Sequence, residues 1–120
     1  MFALHPEERI WLEEYRKALL EQQPDAIKQM LLYGSKARGD AHDDSDIDIL
    51  LIVKNEAADL KRVLRRIGYR LSATSYAVPS ILAYTEEEWE QRKRVGSAFS
   101  EAVEREAVDV LSVHVDEARL

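Results

Sequence analysis

The chain has 120 residues, 46% of them hydrophobic and 33% charged, with a formal net charge of -6 and no cysteine. This length supports one core and one domain, residues 1–120, and the balance excludes a disordered or low-complexity chain. Disulfide frameworks, thiolate zinc sites and cysteine nucleophiles are excluded, the acidic balance argues against direct nucleic-acid binding, and no apolar run nears the ~18 residues that span a bilayer.

The N-terminal residues MFALHPEERIW lack the basic start and apolar centre of a signal peptide, so a cytoplasmic protein is expected. Pro6 to about Gln22 predicts an amphipathic helix. Pro6 suits a first turn, Glu7 and Glu8 suit the positive end of the dipole, and Trp11, Leu12, Tyr15 and Leu19 form one apolar stripe. Ile27–Tyr33, closed by Gly34, predicts a strand. Residues 40–48, DAHDDSDID, form an acidic loop leading into Ile47–Val53, a β-branched run and the best strand signal in the chain. Asp46 and Asp48 share a face of that strand with Leu50 and Ile52, while Ile47, Ile49, Leu51 and Val53 share the other. Both faces are apolar beyond Asp48, which predicts a central strand covered on both sides.

Asn55 to about Leu71 predicts a helix with Leu60, Leu64, Ile67 and Leu71 on one side and Lys61, Arg62, Arg65, Arg66 and Arg70 on the other. That basic side reads first as a solvated face and second as a docking surface for an acidic partner or RNA. Residues 76–84 predict a strand that Pro79 places at an edge or a bulge. Thr85 and Glu88 make a capping box for a helix holding Trp89. Gly96 and Ser97 interrupt it, a further helix runs to about Glu106, and residues 107–115 look strand-like.

The informative stretch is Gly34-Ser35-Lys36-Ala37-Arg38-Gly39-Asp40, followed after five residues by Asp46-Ile47-Asp48. A strand ends, a Gly-Ser turn follows, and a short helix begins near Ser35, which points backbone N–H groups and a hydroxyl at one spot, as phosphate sites do. Lys36 and Arg38 place positive charge nearby. The next strand then delivers two carboxylates on one face, an arrangement that a hard divalent cation neutralises. A phosphate cradle beside a carboxylate pair is the layout of phosphoryl or nucleotidyl transfer. A calcium loop is disfavoured because Ile49 stands where glycine is required, and a P-loop is excluded because the Gly-Lys-Ser/Thr ending is missing.

The run GSKARGDAHDDSDIDIL resembles the signature of the DNA polymerase β-type nucleotidyltransferase superfamily, and the short length resembles its minimal members. Gly34, Ser35, Arg38, Gly39, Ser45, Asp46 and Asp48 match that signature. The resemblance implies an α/β (α+β) fold, a small mixed β-sheet with helices packed on one side. It also implies Asp46 and Asp48 as catalytic metal ligands for Mg²⁺, and Gly34, Ser35, Lys36, Arg38, Gly39 and Ser45 as the surroundings of ATP or another nucleoside triphosphate. Arg38 would neutralise the leaving pyrophosphate or brace the acidic loop. The implied reaction moves AMP, or another nucleoside monophosphate, to an acceptor.

Catalytic members usually carry a third carboxylate on the next strand. Here that strand offers Ser80, preceded by Ser75, and no acid. Asp109 comes one strand too late and reads first as an ordinary strand residue, and Glu86–Glu88 open a helix. His42 reads as a loop histidine, His5 and His114 carry no pattern, and Trp11 and Trp89 read as core or interface aromatics. Two functions are therefore weighed. One is an enzyme resembling the antitoxin of HEPN/MNT toxin–antitoxin pairs, which modifies a tyrosine of a helical HEPN-family toxin. The other is a weak or inactive nucleotidyltransferase-fold module that neutralises its partner by contact. Nucleotidylation of a small drug needs an added domain or a dimer that builds one. Five of the aspartates lie within residues 40–48, leaving the rest of the chain at only -1, so the acidity belongs to the expected metal site.

Overall fold

The computed structural model describes residues 3–40 and 45–111; His42, Asp43, Asp44 and His114 lie outside them. The elements in order are α1 (Pro6–Gln22), β1 (Ile27–Tyr33), α2 (Gly34–Arg38), β2 (Ile47–Val53), a 3-10 turn (Asn55–Leu60), α3 (Lys61–Ser72), β3 (Pro79–Thr85), α4 (Glu86–Val95), α5 (Ala98–Glu106) and the short β4 (Val108–Asp109). The strands form one mixed sheet in the order β3-β2-β1-β4. β1 runs antiparallel to β2 and β4, and β2 runs parallel to β3.

Strand parity decides what each face holds. Ile47, Ile49, Leu51 and Val53 pack with Trp11, Leu12, Tyr15, Leu19 and Leu64 in the larger core under α1 and α3. Leu50 and Ile52 turn the other way, into a smaller core with Leu31 from β1, Trp89 from α4 and Val103 from α5. The sheet thus carries its main helical layer on one face and a second, smaller layer on the other, in line with the two apolar faces of β2 and unlike the one-sided packing that the resemblance implies. Trp89 is a core residue, 5% exposed.

α1 is tied to α3 by polar as well as apolar contact. Trp11 Nε1 donates to Gly68 O at 3.0 Å and Tyr15 Oη donates to Leu64 O at 2.7 Å. Gly68 permits this approach, because a Cβ there would stand 2.5 Å from Ile81 Cδ1 and 2.7 Å from Tyr15 Cζ.

The helix expected over residues 55–71 is divided. Ala57, φ -104°, is buried in the core, and Asn55 Oδ1 accepts from Glu87 N at 3.0 Å, which holds the first six residues in the tighter 3-10 form before α3 begins. β3 begins at Pro79, three residues later than the sequence pattern suggests. Proline without an N–H suits a first strand position on an edge, and Val78 O already accepts from Ile47 N at 2.9 Å. Thr85 and Glu88 form the expected capping box.

Candidate active site

Three strand ends meet at one rim. β1 ends at Tyr33, the chain turns through α2, and β2 returns beside it from Ile47, while β3 starts at Pro79 on the other side. The register sets Asp48 between Tyr33 on β1 and Ser80 on β3. Asp46, two residues earlier, is exposed at the entry to the strand, and Asp48 is partly buried.

Gly34 joins the two halves of the motif. Its φ is +75°, in the left-handed region, and a Cβ built on it would collide with Asp48 Oδ2 and stand 3.2 Å from Asp48 Cγ. The missing side chain therefore lets a carboxylate of β2 settle against the first turn of α2. The first N–H groups of a helix have no intrahelical acceptor, and here Ser35 adds a hydroxyl. Gly39 closes α2, its N–H donating to Ser35 O at 3.0 Å, and Asp40 N donates to the same oxygen at 3.2 Å. Ser45 is partly buried just ahead of Asp46.

Burial pushes the Asp48 carboxyl above its ordinary value, Asp46 adds to the shift, and Arg38 works against it. Two mutually repelling carboxylates, one partly desolvated, favour a cation between them. Oxygen donors alone suit a hard ion such as Mg²⁺, which takes one or two carboxylates and fills its other positions with phosphate oxygens and water. Among the described residues no group of three or more Asp, Glu, His or Cys can hold a metal. The residues present fit Mg²⁺ bound jointly with a polyphosphate.

The Lys36 side chain turns away from its expected place beside the phosphates: it is 1% exposed, and its Nζ lies 3.0 Å from Glu8 Oε1 on α1. Glu8 Oε1 also accepts from His5 N at 2.9 Å. The cause is the helical turn itself, which carries residue 36 round to the side covered by α1. Ala3 N, donating to Lys36 O at 2.9 Å, fastens the same corner. Arg38 stays at the surface and bridges two carboxylates, Asp40 Oδ2 at 3.2 Å and Glu106 Oε2 at 3.0 Å.

Asp109 lies on the far edge of the sheet, opposite Leu31 and separated from β2 by β1. Its Oδ1 accepts from Leu111 N at 3.0 Å and Met30 N at 3.3 Å, so it pins the edge strand. Glu86 and Glu88 pair with Lys28 and Lys61 at the end of β3 remote from the rim.

Sequence reasoning missed three neighbours of the site. By sequence Glu8 is a helix-dipole residue, and only its burial, 5% exposed, marks it as a partner for Lys36. Glu106 is distant in sequence from Arg38 and carries no local signal. Tyr33 is the register partner of Asp48, and its ring packs edge-on against Phe99 with centroids 5.6 Å apart. Burial first, and then the Asp48 charge, push its hydroxyl up to about 12, so the phenol stays protonated beside the carboxylates at neutral pH.

The model of the nucleotidyltransferase domain matches residues 12–110 of this chain. The chain belongs to the nucleotidyltransferase domain family. A curated relative from Methanocaldococcus jannaschii, named "Putative protein adenylyltransferase", is 28% identical over 100 residues, covering 82% of this nucleotidyltransferase-family chain and 94% of the relative. A solved structure described as "a putative nucleotidyltransferase from Sulfolobus solfataricus" shares the fold with a TM-score of 0.51 and 24% identity, covering 69% of this chain and 71% of that one. A second, described as a "putative minimal nucleotidyltransferase", aligns with a TM-score of 0.46 and 24% identity over 83% of this chain and 93% of that one. The matched family region begins after Glu8, so the partner of Lys36 lies outside it.

Proposed function

We propose that this nucleotidyltransferase-family protein moves AMP from ATP to a hydroxyl of a protein acceptor in a Mg²⁺-dependent reaction. The observation that carries this reading is the seating of Asp48 against Gly34, which puts the carboxylate pair and the phosphate turn in one place. Gly34 and Ser35 would bind β- and γ-phosphate oxygens through N–H groups and the Ser35 hydroxyl, and Asp46 and Asp48 would hold Mg²⁺. Bound Mg²⁺ supplies charge neutralisation to the triphosphate. The acceptor oxygen forms its bond to the α-phosphorus as the bond to pyrophosphate breaks, and the hydroxyl proton passes to solvent at this exposed rim. The chain's contribution is positioning and electrostatics. Buried Lys36 ties α2 to α1 through Glu8, and Arg38 ties Asp40 to α5 through Glu106.

The resemblance to a protein adenylyltransferase over most of both chains supports a protein acceptor. We take that acceptor to be a helical HEPN-family toxin in a cytoplasmic toxin–antitoxin pair, modified on tyrosine. Among the described residues no helix is long and apolar enough to cross a membrane. The test is transfer of labelled AMP from ATP with Mg²⁺ to the product of the neighbouring gene. Equal transfer by an Asp46→Ala/Asp48→Ala double variant, or none by the native protein, overturns the proposal.

One observation favours a second reading. Ser80, not a carboxylate, is the register neighbour of Asp48 on β3. A binding module that neutralises its partner by contact would keep the fold without that third acid. It predicts that the folded double variant still suppresses the partner in cells.

A further inference from the structure

The nucleotide site leaves one strongly charged face of the molecule unused. On α3, Arg62, Arg66 and Arg70 are exposed at intervals of four residues, with Arg65 and Tyr69 forming a second row beside them. Arg62, Arg65, Arg66 and Tyr69 line a shallow cleft of about 270 Å³. None of these arginines has a carboxylate partner among the described residues, although Lys28, Lys36, Arg38 and Lys61 are all paired. Arg65 Nε is buried without an acceptor. A guanidinium N–H removed from water and left unbonded is costly, and four unpaired like charges on one helix repel one another. An oxyanion-bearing partner relieves the repulsion.

We propose that this face of α3 docks an acidic helical segment of a protein partner, whose carboxylates at i and i+4 meet Arg62 and Arg66 and enter the cleft to reach Arg65. Identifying that partner with the acceptor rests on the function proposed above; the docking itself does not. Planar guanidiniums pair bidentately with carboxylates, and Val63, 42% exposed, and Tyr69, 44% exposed, give the segment apolar contact. The stripe is one helix wide. Glu56 and Asp59 lie just before it on the 3-10 turn and the aspartate pair lies at the opposite rim, so a continuous phosphate chain meets repulsion at both ends. Tyr69 is also poorly placed to stack on a base, because its hydroxyl accepts from Ile81 N at 2.9 Å and holds the free edge of β3. α3 covers the face opposite the Asp48 carboxylate, and its C-terminal end leads back to the rim where β3 begins, which directs a docked segment toward the site.

The test uses the full chain and fluorescence anisotropy with three labelled probes: a capped helical peptide with Glu at i and i+4 along one face, a scrambled peptide of equal charge, and an oligouridylate. The expected result is that the native protein prefers the patterned peptide over the scrambled one. An Arg62→Glu/Arg66→Glu variant with an unchanged melting temperature should bind that peptide roughly tenfold or more weakly. Equal binding by the variant, no preference for the patterned peptide, or tighter binding of the oligouridylate overturns the proposal, the last in favour of a nucleic-acid face. Mg²⁺–ATP binding is measured by calorimetry on both proteins and should be equal. Failure of the native protein to bind Mg²⁺–ATP would sink nucleotidyl transfer while leaving the peptide result to decide the docking face.

Discussion

The carboxylate of Asp48 occupies the volume that a side chain at Gly34 would fill. Gly34→Ala therefore imposes two penalties, a left-handed φ on an L-residue and a displaced Asp48 carboxylate, the proposed Mg²⁺ ligand. The backbone effect costs about 1–2 kcal/mol of stability, measurable by urea unfolding. Binding of Mg²⁺–ATP, measured by calorimetry, is expected to be lost, because the variant moves the carboxylate away from the phosphate turn.

Asp48→Asn separates stability from function. Burial and Asp46 hold the Asp48 carboxyl above its ordinary 3.8, so the charged form weakens the metal-free fold. The native fold is relatively favoured below 3.8 and loses that advantage as pH rises through the raised value. The variant should melt at a higher temperature than the native protein at pH 7 without Mg²⁺. The difference should vanish in acid below 3.8, and AMP transfer should be lost throughout.

Tyr33 sets an alkaline limit. The unfolded chain releases a tyrosine proton near 10, whereas folded Tyr33 holds it to about 12. Its contribution is intact below pH 10 and falls as pH rises from 10 to 12. Tyr33→Phe should raise the midpoint of alkaline unfolding followed by circular dichroism, with little change at pH 7.

Lys36→Ala leaves the Glu8 carboxylate buried without its cation. Breaking one partner of a buried pair costs roughly 3–5 kcal/mol, and urea unfolding should report a loss of that order. Arg38→Ala should cost less, because Arg38 is 43% exposed and its pair with Asp40 is solvated, although the Glu106 carboxylate is only 12% exposed.

Ser80→Asp places a third carboxylate in register with Asp48. Affinity for Mg²⁺ and the rate of AMP transfer should rise, while the metal-free protein becomes less stable through added repulsion. An unchanged rate would show that the third acid is not what limits turnover in this chain.

Much of the fold is legible in the sequence because local chemistry sets it. Strand parity from Ile47 to Val53 separates the two cores, Pro6 and the Thr85–Glu88 box mark helix starts, and the Gly-Ser turn with Asp46 and Asp48 identifies the family. The break at Ala57 and the late start of β3 are not legible, because burial of Ala57 and the bond from Ile47 N to Val78 O depend on distant parts of the chain.

The sequence alone determined the residue types of the site and the face that carries the aspartates, since a two-residue period needs no tertiary knowledge. Where the two cations of the motif point was decided by the tertiary structure. Lys36 and Arg38 differ little as letters two residues apart in one motif. The helical turn sends Lys36 into a buried pair with Glu8 and leaves Arg38 at the surface between Asp40 and Glu106. Those partners come from α1, the loop and α5, and only packing brings them together.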